Sequence, residues 1–597
     1  MTEPKRNEYR SRDWFMNRSR PYLSLLYTER LLNNGTTAHE LQSGRPVIGI
    51  AQSGSDLAPC NRHHIQLAER LADGVRDAGG VPMQFPIHPF YESCRRPTAM
   101  LDRNLAYLGI VEVLHGYPLD GCILTTGCDK TTPASLMAAA TTDLPSIVFS
   151  GGPMLNGWLD GKRIGSGTSF LAARKKAATG EISDDEYWSI VLSSTPSVGH
   201  CNTMGTALTM NSLAEALGMS LPGCAAIPGP HRERAEMAYR TGVAAVRAVE
   251  DDIRPSRIMT RTAFLNAIAV CAAIGGSSNA PVHLNAIARH VGVDLTMRDW
   301  QDTGYPVPLL ADLQPAGQYL GEDFHRGGGI PAVLHELIAG GYVDGRAKTI
   351  NRRTVAENVQ GQEPDGVVIR RINNPVSSNA GFTVLGGNLF SSGVLKTSVI
   401  SEDFRKRYLC NPDHPNVFVV KAVVFEGPED YLARINDADL NISSESILIM
   451  RGIGPIGFPG AAEAVNMQPP DRLLEAGIDS LPCMGDGRQS GTSGSPSILN
   501  CSPEAAAGGM LSIVQTGDSV QIDLNERRVD LMIEDSEIEA RRAALDAHGG
   551  FPVPASKTPW EELHRTYTTQ LEDGMTLSIA TKYHGVNNQL PRYNHPY

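Results

Sequence analysis

The chain has 597 residues, too many for one hydrophobic core, so two large domains are expected. A net charge of −12 and a pI of about 5.8 argue against a nucleic-acid partner, and leave a small anionic substrate open because local charge can oppose the global charge. Nothing reads as a membrane span: the longest apolar stretch, near Ala263–Gly276, is interrupted by Asn266 and falls short of the roughly 18 residues required. The N-terminus has no apolar signal region, so the cytoplasm is the expected compartment. Ten cysteines are too few for a disulfide scaffold, and one with unusual neighbours reads better as a ligand or nucleophile.

In chain order, Val47–Ala51 is a short β-branched run ending at Gln52-Ser53-Gly54. A helical pattern follows from about Asn61 to Ala78, with Ile65, Leu67, Leu71 and Val75 on its apolar face, and it stops at Gly79-Gly80. Pro82–Ile87 is strand-like. Gly121–Thr126 is the next apolar run; it leads through Gly127-Cys128-Asp129-Lys130 into a helix from about Pro133. Pro145–Ser150 is a further strand, closed by Gly151-Gly152. Strand, polar turn and helix, repeated, predict an α/β domain with a largely parallel sheet, and ligands in such sheets sit at the carboxyl ends of strands. The stretch from about Asn202 to Gly341 is helix-rich. Texture changes over Val355–Gly381, and short β-like runs follow at Phe382–Leu385, Val417–Phe425, Ser446–Met450, Ser519–Leu524 and Arg528–Ile533. These features predict a boundary near residue 375, with residues 1–375 forming the α/β domain. Residues 376–597 then form a mostly β domain, a barrel or sandwich with helices attached, whose tail from about His548 is less regular.

Cys60, Cys128 and Cys201 stand apart from the other seven cysteines. Each lies in a polar, turn-like setting before an expected helix: Ala58-Pro59-Cys60-Asn61, Gly127-Cys128-Asp129-Lys130 and Gly199-His200-Cys201-Asn202. A helix N-terminus favours the thiolate, the form that binds metal. Three thiolates are one short of the usual iron–sulfur complement, which leaves an iron able to bind a hydroxyl as a Lewis acid. Packed free cysteines are the competing reading; three together, each among Gly, Pro, Asn or Asp, weigh against it. Cys122, Cys224 and Cys271 lie in apolar runs and read as core, while Cys94, Cys410, Cys483 and Cys501 have no evident partner. Asp129 follows Cys128 directly, Glu92 follows the Pro82–Ile87 run, and Glu463 follows the Gly-rich Gly454–Gly460 loop. Carboxylate oxygens suit a hard cation such as magnesium. Each acid alone reads more readily as a surface or capping residue.

At these residues the sequence resembles the dihydroxy-acid and 6-phosphogluconate dehydratase family. The matching strings are Pro59-Cys60-Asn61, Cys128-Asp129-Lys130-Thr131-Thr132-Pro133, Cys201-Asn202-Thr203-Met204-Gly205-Thr206-Ala207, Gly275-Gly276-Ser277-Ser278-Asn279, Gly485-Asp486-Gly487-Arg488-Gln489-Ser490-Gly491-Thr492 and Ser502-Pro503-Glu504-Ala505-Ala506. Within the family it is most similar to the pentonate (sugar acid) dehydratases, and among those to the D-xylonate branch, through Phe324–Gly329, Gly457–Gly460 and Asp486–Thr492. The resemblance implies an N-terminal α/β domain, a C-terminal β-barrel-like domain and a site between them. It implies Cys60, Cys128 and Cys201 as ligands of a 2Fe-2S cluster, a 4Fe-4S cluster being the alternative. Glu92, Asp129 and Glu463 are implied as magnesium ligands, and Lys130 matches a lysine that is carboxylated in family members. Ser490 is implied as the catalytic base and Thr492 as a substrate contact. His595 matches a terminal histidine that reaches a neighbouring subunit's site, although Pro596 and Tyr597 follow it here. The expected partner is a small sugar acid, D-xylonate first, and the expected assembly a homodimer or homotetramer. L-arabinonate or another aldonate, a branched-chain dihydroxy acid, and an iron–sulfur redox protein are the alternatives.

Overall fold

The computed structural model describes residues 9–596. Near its N-terminus, strands β1 (Val47–Gln52), β2 (Val81–Pro86), β3 (Gly121–Thr126) and β4 (Ser146–Ser150) form a sheet ordered β2-β1-β3-β4, and every neighbouring pair is parallel. Parallel strands carry helices on both faces, so β1, β3 and β4 are buried nearly throughout and read as continuous apolar runs. Connections leave β1 towards β2 on one side and β3 towards β4 on the other. The crevice outside the carboxyl ends of β1 and β3 is therefore the switch point at which such sheets hold ligands. Cys60 follows β1 and Cys128 follows β3.

Of helices α1 (His64–Asp77), α2 (Ala99–Gly116), α3 (Thr131–Thr142), α4 (Thr206–Ala216), α5 (Arg232–Glu250), α6 (Arg261–Ala273) and α7 (Ala280–Val291), α1, α3 and α5 pack on this sheet and the others pack on helices beyond it. α1 starts three residues later than its apolar period predicts, because Pro59–Asn61 first makes a separate tight turn. Every residue of α3 is buried, as is every residue of α4. Small residues make this feasible: TTPASLMAAATT lets α2, α4 and α7 pack close around α3. A short hairpin, β5 (Gly157–Leu159) and β6 (Lys162–Ile164), interrupts the path from β4 to α4.

Beyond residue 380 the chain forms an eight-stranded sheet from β7 (Phe382–Leu385), β8 (Ser392–Lys396), β9 (Val417–Phe425), β10 (Ser446–Met450), β11 (Cys483–Gly485), β12 (Ser497–Ser502), β13 (Ser519–Asp523) and β14 (Arg528–Leu531). The order is β14-β13-β9-β10-β11-β12-β8-β7. A bridge between Gly386 and Arg528 joins the two edge strands, which nearly closes the sheet into a barrel. The expected strands at Phe382–Leu385, Val417–Phe425 and Ser446–Met450 are found with those bounds; β8, β11 and β12 are additional. The four strands β9–β12 run parallel. In β10, Ile447 and Ile449 pack into one apolar cluster and Leu448 and Met450 into another, so alternation is present but both faces are apolar. Helix α8 (Asp535–Ala547) follows the sheet, and the tail beyond it is irregular apart from helix α9 (Pro559–Tyr567) and a short turn. Among the described residues no helix is long and apolar enough to cross a membrane.

Candidate active site

Asparagine side chains hold the cysteine segments in place: Asn61 ties the Cys60 segment to that of Cys128, and Asn202 ties the Cys201 segment to Ser166. Asn61, beside Cys60, accepts a hydrogen bond from the Cys128 amide through Oδ1 at 2.8 Å and donates to Ser53 at the end of β1 at 3.2 Å. Gly127 permits this approach, since a Cβ there would collide with Asn61 Oδ1. Asn211 of α4 donates to the Gly127 carbonyl at 3.0 Å and accepts from Thr126 at 2.8 Å. Asn202, beside Cys201, accepts from the Ser166 amide at 2.8 Å, and its own amide donates to Ser166 Oγ at 3.1 Å.

Cys128 and Cys201 differ from the sequence expectation in one respect: their thiols are raised, not lowered. The neighbouring Cys60 thiol, close enough to hydrogen-bond, and burial raise Cys128 well above the usual thiol range. Burial, with Asp129 nearby, pushes Cys201 up to about 12. Burial disfavours the charged form of both, so a bound cation is what would stabilise these two thiolates. Cys122, Cys224 and Cys271 are buried, as the apolar runs imply; Cys483 and Cys501 are buried too.

Glu92, Asp129 and Glu463 each present one carboxylate oxygen, and these oxygens lie within 4.8 Å of one another, a group that could hold a metal ion. The buried ammonium of Lys130 stands among them, 2.5 Å from Glu92, 3.3 Å from Asp129 and 3.3 Å from Glu463. Burial and Arg488 disfavour its charge, but Glu463, Glu92 and Asp129 outweigh them and raise the Lys130 pKa. Burial and the crowding of Glu92 push Glu463 up to about 7 against the pull of Lys130 and Arg488.

Arg488 completes the set from the other half of the chain. Its guanidinium is fully buried and lies 2.9 Å from Glu463 and 3.3 Å from Glu92, while Nε donates to the Ala461 carbonyl at 2.8 Å. Glu463 lies on the loop after β10, and Arg488, Ser490 and Thr492 on the loop after β11. Two buried carboxylates shape these loops. Asp486 accepts from the amides of Gly452, Ile453 and Ala505, and Glu504 accepts from the amides of Ile456 and Gly457. Ser490 Oγ and Thr492 Oγ1 are 2.8 Å apart. Gly491, between them, brings the loop against the cysteine side: a Cβ there would lie 2.5 Å from Ser277 Oγ and 2.7 Å from the Thr206 amide.

The structure thus brings Glu92, Asp129, Lys130 and Glu463 into one cluster, with Cys128 adjoining Asp129 and with Ser490 and Thr492 on the loop that carries Arg488. His595 is not part of it within one chain; its ring faces Tyr27, with centroids 6.3 Å apart. Sequence reading passed over Arg488 and Asn279. Both stand inside the quoted strings, and an arginine flanked by two acid-bearing Gly-rich loops was the available signal. Asn279 donates to Glu463 at 2.7 Å.

Sequence models of the dihydroxy-acid/6-phosphogluconate dehydratase N-terminal and C-terminal regions match residues 45–358 and 367–575. The chain belongs to this family. It is 55% identical to a D-xylonate dehydratase of Caulobacter vibrioides over 98% of each chain. It is 43% identical to an L-arabinonate dehydratase of Rhizobium leguminosarum bv. trifolii over 96% of each. With a dihydroxy-acid dehydratase of Caldanaerobacter subterraneus it shares 37% identity over 88% of this chain and 91% of the other. The family member described here is accordingly a dehydratase, a hydro-lyase, built from a parallel α/β region and a barrel-like mixed sheet.

Proposed function

We propose that this dehydratase removes water from a sugar acid, D-xylonate first, to give the 2-keto-3-deoxy acid. The observation that carries the proposal is the end-to-end similarity to the pentonate enzymes, joined to a cluster of three carboxylates with the Cys128 thiol beside Asp129. The donor chemistry fits two different metals. Cys60, Cys128 and Cys201 would hold an iron–sulfur cluster, for which 2Fe-2S is proposed. Glu92, Asp129 and Glu463, with a carboxylated Lys130, would hold magnesium. When bound, these groups supply a Lewis acid for the departing C3 hydroxyl and positive charge beside the substrate's carboxylate and C2 hydroxyl.

The chain's own residues do the rest. Ser490 takes the C2 proton at Oγ, and Thr492, 2.8 Å away, hydrogen-bonds to that oxygen and fixes its direction. A serine is a poor base unless positive charge lies near it, which a cation held by the neighbouring carboxylates would supply. Arg488 and Asn279 hold Glu463 in orientation. The substrate is a small molecule and no nucleic acid is involved. The enzyme is proposed to work in the cytoplasm as a homodimer or homotetramer, with a division near residue 375 and His595 reaching a neighbouring copy's site.

Turnover on a panel of acids tests the substrate. D-xylonate should give a higher kcat/KM than 2,3-dihydroxy-isovalerate, because a site built to bond hydroxyls rejects analogues without them by roughly 10⁴-fold or more. A higher kcat/KM on the branched-chain acid would overturn it. An ultraviolet–visible spectrum of anaerobically purified protein tests the cluster: no visible absorption in active protein would rule it out.

A further inference from the structure

We infer that Asn279 is a positioning residue that locks Glu463 and the Ser490 loop to the cysteine-bearing half of the molecule. The inference rests on the reading of Glu463 as a magnesium ligand. Asn279 occupies the N-cap of α7, where asparagine is among the preferred residues because its side-chain oxygen accepts from the first turn. Here it makes no capping bond, and its buried Oδ1 has no partner. Nδ2 instead faces three acceptors: Glu463 Oε1 at 2.7 Å, the Gln489 carbonyl at 3.2 Å and Thr206 Oγ1 at 2.9 Å. That set of acceptors fixes which end of the amide is the nitrogen.

The three acceptors belong to three parts of the site. Glu463 is in the acid cluster, Gln489 precedes Ser490, and Thr206 begins the helix that follows Cys201. The base of Asn279 is independently fixed. Its amide donates to Ser277 Oγ at 3.1 Å, and Ser277 Oγ lies 2.8 Å from Thr206 Oγ1. The Gly275 carbonyl accepts from buried Lys396 at 2.7 Å, and the Ser278 carbonyl accepts from Asn500 at 3.2 Å. Strands β8 and β12 therefore grip the Gly275–Asn279 turn, and the direction of the Asn279 side chain is set before it meets Glu463. A residue chosen only to cap α7 would spend its oxygen on the helix and leave its nitrogen to solvent.

Asn279→Ser separates the two roles, because serine caps as well as asparagine but cannot reach Glu463 or Gln489. Binding of Mg²⁺ alone to the cluster-loaded protein, measured calorimetrically, reports on Glu463. The kcat at saturating Mg²⁺ reports on the Ser490 loop. Both should fall roughly 10–100-fold in Asn279→Ser, as for residues that orient metal ligands, with the cluster absorption unchanged. Asn279→Gln keeps the amide but displaces it, so it should show the same losses and serves if the serine variant does not fold. Mg²⁺ affinity and kcat both within about twofold of wild type in a folded variant would leave Asn279 a plain N-cap and overturn the proposal. A wild-type protein that binds no Mg²⁺ would instead overturn the metal reading of Glu463, and the proposal with it.

Discussion

The two sheets reach the same point by different means. In the α/β region the chemical side chains sit within a short reach of a strand or helix end: Cys128, Asp129 and Lys130 fill the turn between β3 and α3. In the barrel-like region Glu463 lies well beyond the end of β10, on a loop with little secondary structure of its own. Its support comes from buried ionic and polar groups, namely Asp486 and Glu504 on the backbone and Arg488 and Asn279 on the carboxylate. One half carries its groups on short, hydrogen-bonded turns between packed elements and the other on a long loop held by buried polar groups, which predicts different responses to substitution.

The largest effect is expected on the turn side. Cys128→Ser should abolish the visible absorption of the cluster together with turnover, while Cys122→Ser, a buried thiol within β3, should spare both. A full cluster spectrum and full activity in Cys128→Ser would break the assignment of that turn. Next comes Ser490→Ala on the loop side. It should keep the fold, the cluster absorption and Mg²⁺ binding, yet lose turnover by roughly 10²–10⁴-fold, as expected for a general base. Exchange of the substrate's C2 proton with deuterium should stop as well. Near-normal turnover in a folded, cluster-loaded variant would pass the proton to another group.

The smallest effect concerns the loop clamp. Burial and Asp486 push the Glu504 carboxyl up to about 7 from 4.5, against the backbone amides that favour its charge. A raised carboxyl pKa means the folded state holds the proton more tightly. The stability from Glu504 is therefore full below about pH 4.5 and lost as the pH rises through about 7. Glu504→Gln should flatten the Tm profile across that window while leaving the cluster spectrum untouched. An unchanged slope would show that Glu504 is not the titrating clamp.

The same contrast governs what could be read from sequence. Parallel strands buried on both faces leave continuous apolar runs, so Val47–Gln52 and Gly121–Thr126 were legible nearly to the residue. Strand β11, only Cys483–Gly485, is too short to leave a period, and β8 and β12 are broken by glycine, asparagine and serine. Carboxylates beside cysteines suggested hard ligands next to soft ones, and Glu92, Asp129 and Glu463 do come together. The supporting groups were harder to see. Arg488 and Asn279 act across long sequence separations, and nothing in the local pattern says that an N-cap asparagine faces away from its own helix.

The helix after Lys130 has a consequence for mutational tolerance. α3 has no exposed position, so it has no solvent side into which a larger side chain can turn. Close-packed interiors transmit volume changes rather than absorb them. An added methyl at Ala138 or Ala140, far from any metal donor, must displace either a neighbouring helix or α3 itself, whose first residue holds the Cys128 carbonyl through a 2.8 Å hydrogen bond from Thr131. Conservative changes along α3 should therefore act at a distance on the turn that carries Cys128 and Asp129, whereas comparable changes on the exposed face of α8 should be silent.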